Sequence, residues 1–437
     1  MEFEKINLYK PKFYNDWDTK TLYELADWIN GKAFKKKDYS NNGIPIIKIA
    51  ELNNGISSNT KYTNSAEDKF YLKEKDLLFA WSGNPDTSID THRFNLPEGY
   101  LNQHIFKVIP NQDEISSNYF YYLMKYLNPN FKEIARNKQT TGLGHVTVSD
   151  IKNVYVNIPK LEFQDSITGP LYSIDRKIEI NNKIIENLEA QAQAIFKSWF
   201  VDFEPFQEGN FIESELGLIP EGWEVKEIKE ISDRKNGYTY KSSDLSDYSS
   251  VNMVTIKNFN RHGGQNDDAK KPIKNTERVK KHHILKDKDI LVACTDLTQA
   301  ADIIGRVILY SDNNYFDYEI YSMDVVKLVP HDITDTYFIY HYLNSNIFKG
   351  YAEGVATGTT VLHLPKKSID SFKLIYPSKE HIEKFNEIIK PFIELENLLR
   401  NENYSLAQTR DTLLPKLMSG EIDVSNIKID DEDIDYE

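Results

Sequence analysis

Cysteine is almost absent from this 437-residue sequence, with Cys294 as the one instance. A single thiol excludes a disulfide framework and a zinc site built from cysteines. Long apolar runs are missing as well, so no membrane-spanning helix is expected. The first residues lack the charged-then-apolar order of a secretory signal peptide. These absences predict a cytoplasmic protein.

Motifs that mark catalytic and metal sites are also missing. No P-loop occurs, no GxGxxG follows a strand-like run, and the Asn-Pro-Pro-aromatic loop expected of an amino-methyltransferase is absent. His282-His283 has no second pair at metal-ligand spacing, so we expect a solvent-exposed pair. Cys294 ends an apolar run typical of a buried, unreactive thiol. These features favour a binding protein without a catalytic centre or a metal.

The net charge of −14 is unevenly distributed. The last residues, 421–437, carry eight acids against one lysine, which is half of the total and predicts a disordered acidic tail. Lysines gather at Lys32–Lys37 and again at Lys270–Lys281. Each group could be a solvated loop or a local basic face for phosphates, because phosphate binding needs only local positive charge.

The second half of the chain repeats the first. Trp17 corresponds to Trp223, and the later segments match in the same order at an offset that grows from 206 to about 220 residues. The matching segments are IPIIKIAELNNG with VNMVTIKNFNRHGG, LKEKDLLFAWSG with LKDKDILVACTD, IFKVIP with VVKLVP, and TTGLGHVTVSDIKNVYVNIP with ATGTTVLHLPKKSIDSFKLIYP. The period is far longer than a solenoid repeat, so two similar globular units are expected.

Each unit mixes strand-like and helical patterns, which predicts a mixed α/β (α+β) fold. Short β runs such as IPIIKI, DLLFAW, IFKVIP and VYVNIP are bounded by turn residues. Helical spacing covers Thr21–Ile29 and the segment from Tyr119 to Leu127. The order of the strands cannot be derived from the pattern.

Two long helices are predicted, one between the units and one after the second. In the first, apolar residues alternate in steps of three and four over four heptads, with Asn181 as the polar member. Its stripe includes Ile174, Ile178, Ile185, Leu188, Ala192 and Trp199, and the second helix continues the rhythm through Leu399, Leu406 and Leu413. A helix of about 40 residues spans roughly 60 Å, so each stripe needs a long partner, and an antiparallel pair acting as a coiled-coil spacer is expected. Two helices packed into ordinary cores are the alternative.

Some residues qualify the helical pattern. Pro170 and Pro391 are expected to begin or kink the straight portions, and Pro415, followed by Gly420, to end the second helix. In the second stripe Glu396, Asn403 and Arg410 replace apolar residues, which suggests a polar face toward a partner. The predicted domains are unit one at 1–160, the central helix at 161–206, unit two at 207–378, the C-terminal helix at 379–420 and the acidic tail at 421–437.

The layout resembles the DNA specificity subunits of type I restriction–modification systems. The segments that carry the resemblance are EINNKIIENLEAQAQAIFKSWFVDFEPF, DLLFAWSGNP, GLIPEGWEV and QTRDTLLPKLMSGEIDV. The resemblance covers almost the whole chain, and the acidic tail is longer than the family's pattern requires.

The resemblance implies a non-catalytic subunit in which each unit is a target-recognition domain. Each domain would read one half of a split, asymmetric site on double-stranded DNA. The helices would set the gap between the half-sites and dock two methyltransferase subunits, with restriction subunits joining the full complex. S-adenosylmethionine, ATP and Mg²⁺ would then belong to the partner subunits, where adenine methylation and ATP-dependent cleavage occur.

Candidate DNA-binding residues are polar side chains in loops at matching positions of the two units. They are Trp81, Ser82, Thr140, Thr141 and His145 in the first unit, Thr295, Asp296, Thr357, Thr359 and Thr360 in the second, and Lys48 and Lys257 in addition. Each could instead build or cap a turn.

Two other functional classes remain open at this point. The chain could be a coiled-coil interaction protein that does not read DNA, or a nuclease or methyltransferase with degenerate motifs. Salt-dependent DNA affinity of the assembled complex separates the first from a DNA reader, and turnover by the isolated chain would identify the second.

Overall fold

A computed structural model describes residues 6–8, 17–139, 142–261, 263–267, 269–312 and 315–424, with only the backbone described at 6–8. The chain divides into unit 1, residues 1–179 and 404–437, and unit 2, residues 180–403. None of the helices in the described ranges combines the length and hydropathy needed to span a bilayer.

In its described residues, unit 1 has thirteen strands, three short or medium-length α-helices and segments of two further, long helices. The strands are β1 Ile6–Leu8, β2 Asp18–Thr21, β3 Ala26–Asn30, β4 Ile44–Ile47, β5 Tyr62–Thr63, β6 Tyr71–Lys73, β7 Leu77–Ala80, β8 Ser82–Gly83, β9 Asp90–Arg93, β10 Glu98–Leu101, β11 Ile105–Pro110, β12 Gly144–His145 and β13 Val154–Ile158. The helices are α1 Ile49–Asn54, α2 Ser117–Asn137 and α3 Val148–Lys152, followed by the long helix α4 Leu161–Phe200.

Unit 2 has the corresponding set of elements. Its strands are β14 Phe211–Ser214, β15 Gly217–Pro220, β16 Glu224–Glu227, β17 Ser232–Asn236, β18 Val251–Val254, β19 Ile290–Ala293, β20 Thr295–Asp296, β21 Val307–Leu309, β22 Tyr318–Tyr321, β23 Val325–Pro330, β24 Leu362–His363 and β25 Lys373–Tyr376. Its helices are α5 Ile228–Ile231, α6 Thr336–Leu343, α7 Asn346–Val355 and α8 Lys366–Asp370, followed by the long helix α9 Lys379–Met418.

The strand pairing of the two units confirms the internal duplication. A four-stranded antiparallel sheet has the order β3-β11-β7-β9 in unit 1 and β17-β23-β19-β21 in unit 2. A parallel pair, β4 with β10, is repeated as β18 with β22, and a two-strand ladder, β8 with β12, is repeated as β20 with β24. The predicted mixed α/β fold with two similar units is therefore confirmed.

Within the two antiparallel sheets, the strands β7 and β19 are buried on both faces. In β7, Leu77 and Phe79 face the core shared with α2, while Leu78 and Ala80 face a second core formed with the β4–β10 layer. The side-chain period of two places alternate residues on opposite faces, so a strand buried on both sides has a continuous apolar sequence. This accounts for the runs DLLFA and DILVA, which end where the candidate residues begin.

The helix predicted over Thr21–Ile29 is wrong. The chain instead ends β2 at Thr21, turns, and runs as β3 from Ala26. The turn is closed by the Thr21 amide, which donates to Glu24 Oε2 at 3.0 Å, and Leu22 and Leu25 are fully buried. Five residue pairs join β3 to β11, and this tertiary pairing outweighs a short helical pattern.

The two long helices pack antiparallel within each unit, as predicted. In unit 2, Asn181 Nδ2 donates to Asn403 Oδ1 at 2.8 Å, and farther along α4 the ring centroid of Phe196 lies 6.0 Å from that of Phe385. In unit 1, Arg410 Nη1 donates to Asp175 Oδ1 at 2.9 Å. Residue numbers rise along α4 as they fall along α9, and the predicted stripe residues of both helices are buried or half-buried.

The polar residues that interrupt the second stripe make hydrogen bonds within the chain. Asn403 meets Asn181, Arg410 meets Asp175, and Glu396 accepts from Arg400 on its own helix. A buried polar pair costs stability but disfavours other registers of two helices. These residues therefore fit a role in fixing the register of α4 and α9.

The prolines lie inside the long helices, and the kinks predicted as the alternative at Pro170 and Pro391 stay predictions. Pro170 and Pro391 lie inside α4 and α9, which begin at Leu161 and Lys379, so neither proline begins a helix. The second helix continues past Pro415 to Met418, and Gly420 follows with φ 63°. A left-handed residue just after the last turn is a common helix C-terminus, so the glycine and not the proline ends α9.

Candidate nucleic-acid interface

In unit 1, the loop after β7 and the end of the glycine-containing loop meet in the ladder β8–β12. Ser82 pairs with His145, and Gly83 pairs with Gly144. A side chain at Gly144 would place its Cβ 2.1 Å from the carbonyl oxygen of Ala135 in α2, so only glycine allows this approach. The ladder therefore brings together a hydroxyl and an imidazole that are 63 residues apart in the sequence, both partly exposed.

Trp81 is half-buried and held by contacts within unit 1. Its Nε1 donates to Asn30 Oδ1 at 3.1 Å, its ring stacks on Phe106 at a centroid distance of 5.7 Å, and His104 packs against it at 5.2 Å. The indole donor is therefore satisfied by Asn30, and the ring packs against Phe106 and His104 next to the ladder. It fits the alternative of a structural aromatic better than a DNA contact.

The loop between α2 and β12 is closed at its base by Asp150. Its carboxylate accepts from Lys138 Nζ at 2.7 Å and from the Thr147 amide at 2.7 Å. Burial raises the pKa of Asp150, but the hydrogen bonds from Lys138 and Thr147 outweigh burial and lower the pKa below its ordinary value. A charged pair thus joins Lys138, just after α2, to Asp150 in α3, and Leu143 is 58% exposed.

Unit 2 forms the matching ladder, β20–β24. Thr295 pairs with His363, whose Nδ1 lies 3.3 Å from Thr295 Oγ1, and that hydroxyl donates to Asp324 Oδ1 at 3.0 Å. The turn before β24 needs Gly358, whose φ is +121° and whose Cβ would meet the carbonyl oxygen of Val361 at 2.0 Å. The same pairing of a hydroxyl residue with a histidine therefore recurs, with threonine in the place of serine.

Thr295 and Asp296 are buried, whereas a side chain that contacts bases must be exposed. Asp296 is 2% exposed, and its carboxylate accepts from the amide and hydroxyl of Thr298 at 2.8 and 2.9 Å and from the Ile303 amide at 2.7 Å. A carboxylate with these donors closes the loop after β20, which is the turn-building alternative. Thr357, Thr359 and Thr360 lie exposed in the turn that precedes β24.

Backbone hydrogen bonds identify His363 as the counterpart of His145. In each unit the amide after the histidine donates to the carbonyl just before the facing strand, from Val146 to Trp81 at 2.8 Å and from Leu364 to Cys294 at 2.9 Å. The repeat in the sequence pointed to His145 and not to His363, because the glycines of the two loops align more readily than the ends of the loops. Aligning GHV with LHL would have found it.

The remaining candidates fall in different places. Lys48, half-buried, precedes α1, and its structural counterpart is Thr255 and not Lys257, because Ile47 and Val254 occupy the same position in the repeated parallel pair. Lys257 is exposed on the turn after Thr255. Thr140 and Thr141 lie outside the described residues, as does most of the acidic tail, residues 425–437.

A match to a known protein family identifies the family of this chain. The family described as type I restriction modification DNA specificity domain matches the chain twice, at residues 14–190 and 220–406. The chain belongs to this specificity family. The two matches coincide with the two halves of the duplication.

Individual members of the specificity family align along the whole length. The type I restriction enzyme MjaIX specificity subunit of Methanocaldococcus jannaschii is 27% identical, with 98% of both chains covered. The HindI specificity subunit of Haemophilus influenzae is 26% identical over 93% of this chain and 100% of its own. A crystal structure of an S subunit from M. genitalium aligns with a TM-score of 0.48 and 16% identity, over 93% of this chain and 98% of that one.

No group of three or more His, Cys, Asp or Glu side chains that could hold a metal ion occurs in the part of the chain that the structure describes. The expectation of an exposed histidine pair is wrong for His283, which is 9% exposed and packs against Tyr238. Burial lowers the pKa of His283 to about 4, so this imidazole is neutral at pH 7.

Cys294 should be inert toward thiol reagents in the native protein. Its side chain is 2% exposed, and burial raises the pKa of the thiol to about 12, so almost no thiolate is present at pH 8. We expect no reaction with a disulfide reagent until denaturant is added, and one thiol per chain afterwards. Rapid labelling of the native protein, measured by absorbance, would contradict the burial described above.

Proposed function

We propose that this specificity-family chain reads a bipartite, asymmetric sequence in double-stranded DNA, one half with each unit, and that it has no catalytic centre of its own. The observation that carries the proposal is the repeated ladder. Both units place a partly or fully exposed histidine opposite a hydroxyl residue in a two-strand ladder. Equivalent frames with different side chains are suited to read two different half-sites.

The chemistry of the ladder fits contacts with a DNA duplex. The two imidazoles and the partly exposed Ser82 hydroxyl can bond phosphate oxygens or base edges, and the exposed threonines of the second turn add further donors. The basic segments near Lys35 and Lys274 are exposed, so each unit can supply positive charge locally although the chain is acidic overall.

We propose that the long helices dock two methyltransferase subunits. Apolar side chains remain exposed on the helix segments of unit 2: Ile180 and Ile184 on α4, and Ile388, Leu395 and Leu398 on α9, of which Leu398 is 65% exposed. Exposed apolar residues at helical spacing are typical of partner surfaces. S-adenosylmethionine, ATP and Mg²⁺ would be held by the methyltransferase and restriction subunits.

The alternative is a helical scaffold that assembles partners without reading DNA. The exposed apolar helix residues alone would fit it equally well, whereas the matched ladders would then have no role. Reconstitution with the methyltransferase subunit, followed by mapping of methylated adenines, separates the two. A split methylated sequence supports the proposal. A stable complex that methylates without sequence preference would support the scaffold alternative.

Removing the ladder histidines should affect one half-site each. His145→Ala should weaken recognition of one half, and His363→Ala should weaken recognition of the other, each by about 1–3 kcal/mol if a base contact is lost. The measurement is the affinity of each reconstituted complex for duplexes in which one half-site at a time is scrambled.

His331 provides a matched control, since it is also a partly exposed histidine but lies outside both ladders, bonded to the Glu230 carbonyl and near Asp233. His331→Ala should leave both half-sites unchanged. Equal losses at both halves for either ladder variant would argue against one unit reading one half.

A further inference from the structure

The two units also repeat a serine turn just before the first strand of the parallel pair. In unit 1, the Ser40 amide donates to the Tyr62 carbonyl at 2.9 Å, and in unit 2 the Ser246 amide donates to the Pro272 carbonyl at 3.1 Å. Each serine hydroxyl then donates to the carbonyl two residues ahead, that of Asn42 or that of Tyr248. Asn42 and Tyr248 therefore occupy the same structural position.

Tyr248 is exposed to solvent on a hydrogen-bonded turn. Its side chain is 89% exposed, more than any other large apolar or aromatic side chain in the described residues. The turn is fixed on both sides, because the Ser246 hydroxyl bonds the Tyr248 carbonyl at 2.8 Å and the Ser249 hydroxyl bonds the Ile273 carbonyl at 2.6 Å. An aromatic ring with this exposure contributes little burial energy to folding, which leaves it available for a ligand.

The open cleft beside Tyr248 is basic. It encloses about 630 Å³ and is lined by Lys270, Lys271 and Lys274, against Asp247 as its acidic residue. The Lys271 Nζ lies 4.1 Å from the Tyr240 ring centroid and bonds the Tyr240 hydroxyl. Lys270 and Lys274 are exposed at the rim. Rim lysines beside an exposed aromatic are suited to hold a phosphate backbone while the ring reaches a groove.

We infer that the serine turn is a second reading element in each unit, with Tyr248 and Asn42 contacting base edges of different half-sites and with Lys270 and Lys274 holding phosphates beside Tyr248. This inference rests on the proposed DNA-reading function. Asn42 is exposed in its turn, and an asparagine amide can bond an adenine edge in the major groove with two hydrogen bonds. A tyrosine can offer apolar contact to a thymine methyl and one hydroxyl. The same frame thus presents two different readers.

The test is a selection from a pool of DNA duplexes with a randomised centre. The bait is the full chain assembled with its methyltransferase subunits, as wild type, Tyr248→Ala, Asn42→Ala or the double variant Lys270→Ala/Lys274→Ala. Ile347→Ala, an exposed apolar residue on α7, is the matched control for Tyr248. Because all these side chains are exposed, melting temperatures should equal that of the wild type.

We expect Tyr248→Ala to relax base preference in one half-site and to weaken binding of the wild-type motif about tenfold. Asn42→Ala should relax the other half-site. The double lysine variant should keep the motif, bind all duplexes more weakly, and lower the salt slope by about two. Wild-type motif and affinity in both Tyr248→Ala and Asn42→Ala would overturn the inference while leaving the proposed function intact. A wild-type complex that selects no motif would contradict the proposed function itself and this inference with it.

Discussion

Replacing Arg400 with alanine should lower the free energy of unfolding of unit 2 by about 3–5 kcal/mol. Its guanidinium, 13% exposed, donates to Glu189 at 2.9 Å, to Asp267 at 2.9 Å and to Glu396 at 3.0 Å, and so joins α4, α9 and the loop after β18. Without it, three carboxyl groups lose their shared cation in a half-buried site, where their side chains are 15–32% exposed. Removing one partner of such a cluster lowers stability by far more than the intact cluster adds to it, because the remaining charges stay desolvated without a counter-ion.

The loss should depend on pH in a defined direction. Burial, reinforced by the neighbouring Glu396 carboxylate, raises the pKa of Glu189 to about 7, against 4.5 for the ordinary group. The folded state therefore takes up a proton before the unfolded state does, and the stability of this site rises as the pH falls from about 7 toward 4.5. Arg400→Ala should be most destabilising above pH 7 and partly relieved near pH 5.

Chemical unfolding at several pH values measures both effects. Lys384→Ala is the matched control on α9, since Lys384 makes an exposed pair with Glu380 one turn away, and such pairs contribute less than about 1 kcal/mol. A loss for Arg400→Ala that is no larger than that of the control, or that grows as the pH falls, would contradict the account of a half-buried carboxylate cluster.

The sequence predicted those features that depend on local pattern and on repetition. The duplication, the two long helices and the buried strands leading to Ser82 and Thr295 follow from periodicity and order. The failed prediction at Thr21–Ile29 is instructive, because a nine-residue helical pattern competes there with pairing to β11, about 80 residues away. Short patterns yield to tertiary pairing, whereas a forty-residue pattern does not.

The site was only partly predictable, because its geometry depends on contacts that are distant in sequence. In the second ladder, Thr295 and His363 are 68 residues apart in the sequence. Arg400 and Glu189, which form an ion pair, are 211 residues apart. The exposure of Tyr248 likewise depends on the hydrogen bonds that its turn makes to Pro272 and Ile273. Residue types at these positions give no signal alone, since Ser, Tyr and Lys are common in loops.

Removing one heptad from both long helices should shorten the DNA gap that the complex accepts. The suitable segments are Ile178–Ile184 of α4 and Asn401–Ala407 of α9, which face each other through the contact of Asn181 with Asn403. Both deletions preserve the heptad rhythm and spare the Asp175–Arg410 and Glu189–Arg400 pairs on either side. A heptad rises about 10 Å, or roughly three base pairs of B-DNA, so the gap should shrink by about that number with both half-sites unchanged.

Mapping methylated adenines in cells that carry the shortened chain measures the gap and the half-sites together. The matched control deletes the heptad from α4 alone, which leaves Glu402 and Asn403 without the side chain they bond and shifts the facing stripes out of register. That variant should lose the assembled complex and not merely change its spacing, because the apolar stripes of α4 and α9 would no longer cover each other. If the doubly shortened chain methylates the original sequence with its original gap, the helices do not set the spacing, and the spacer role assigned to them is wrong.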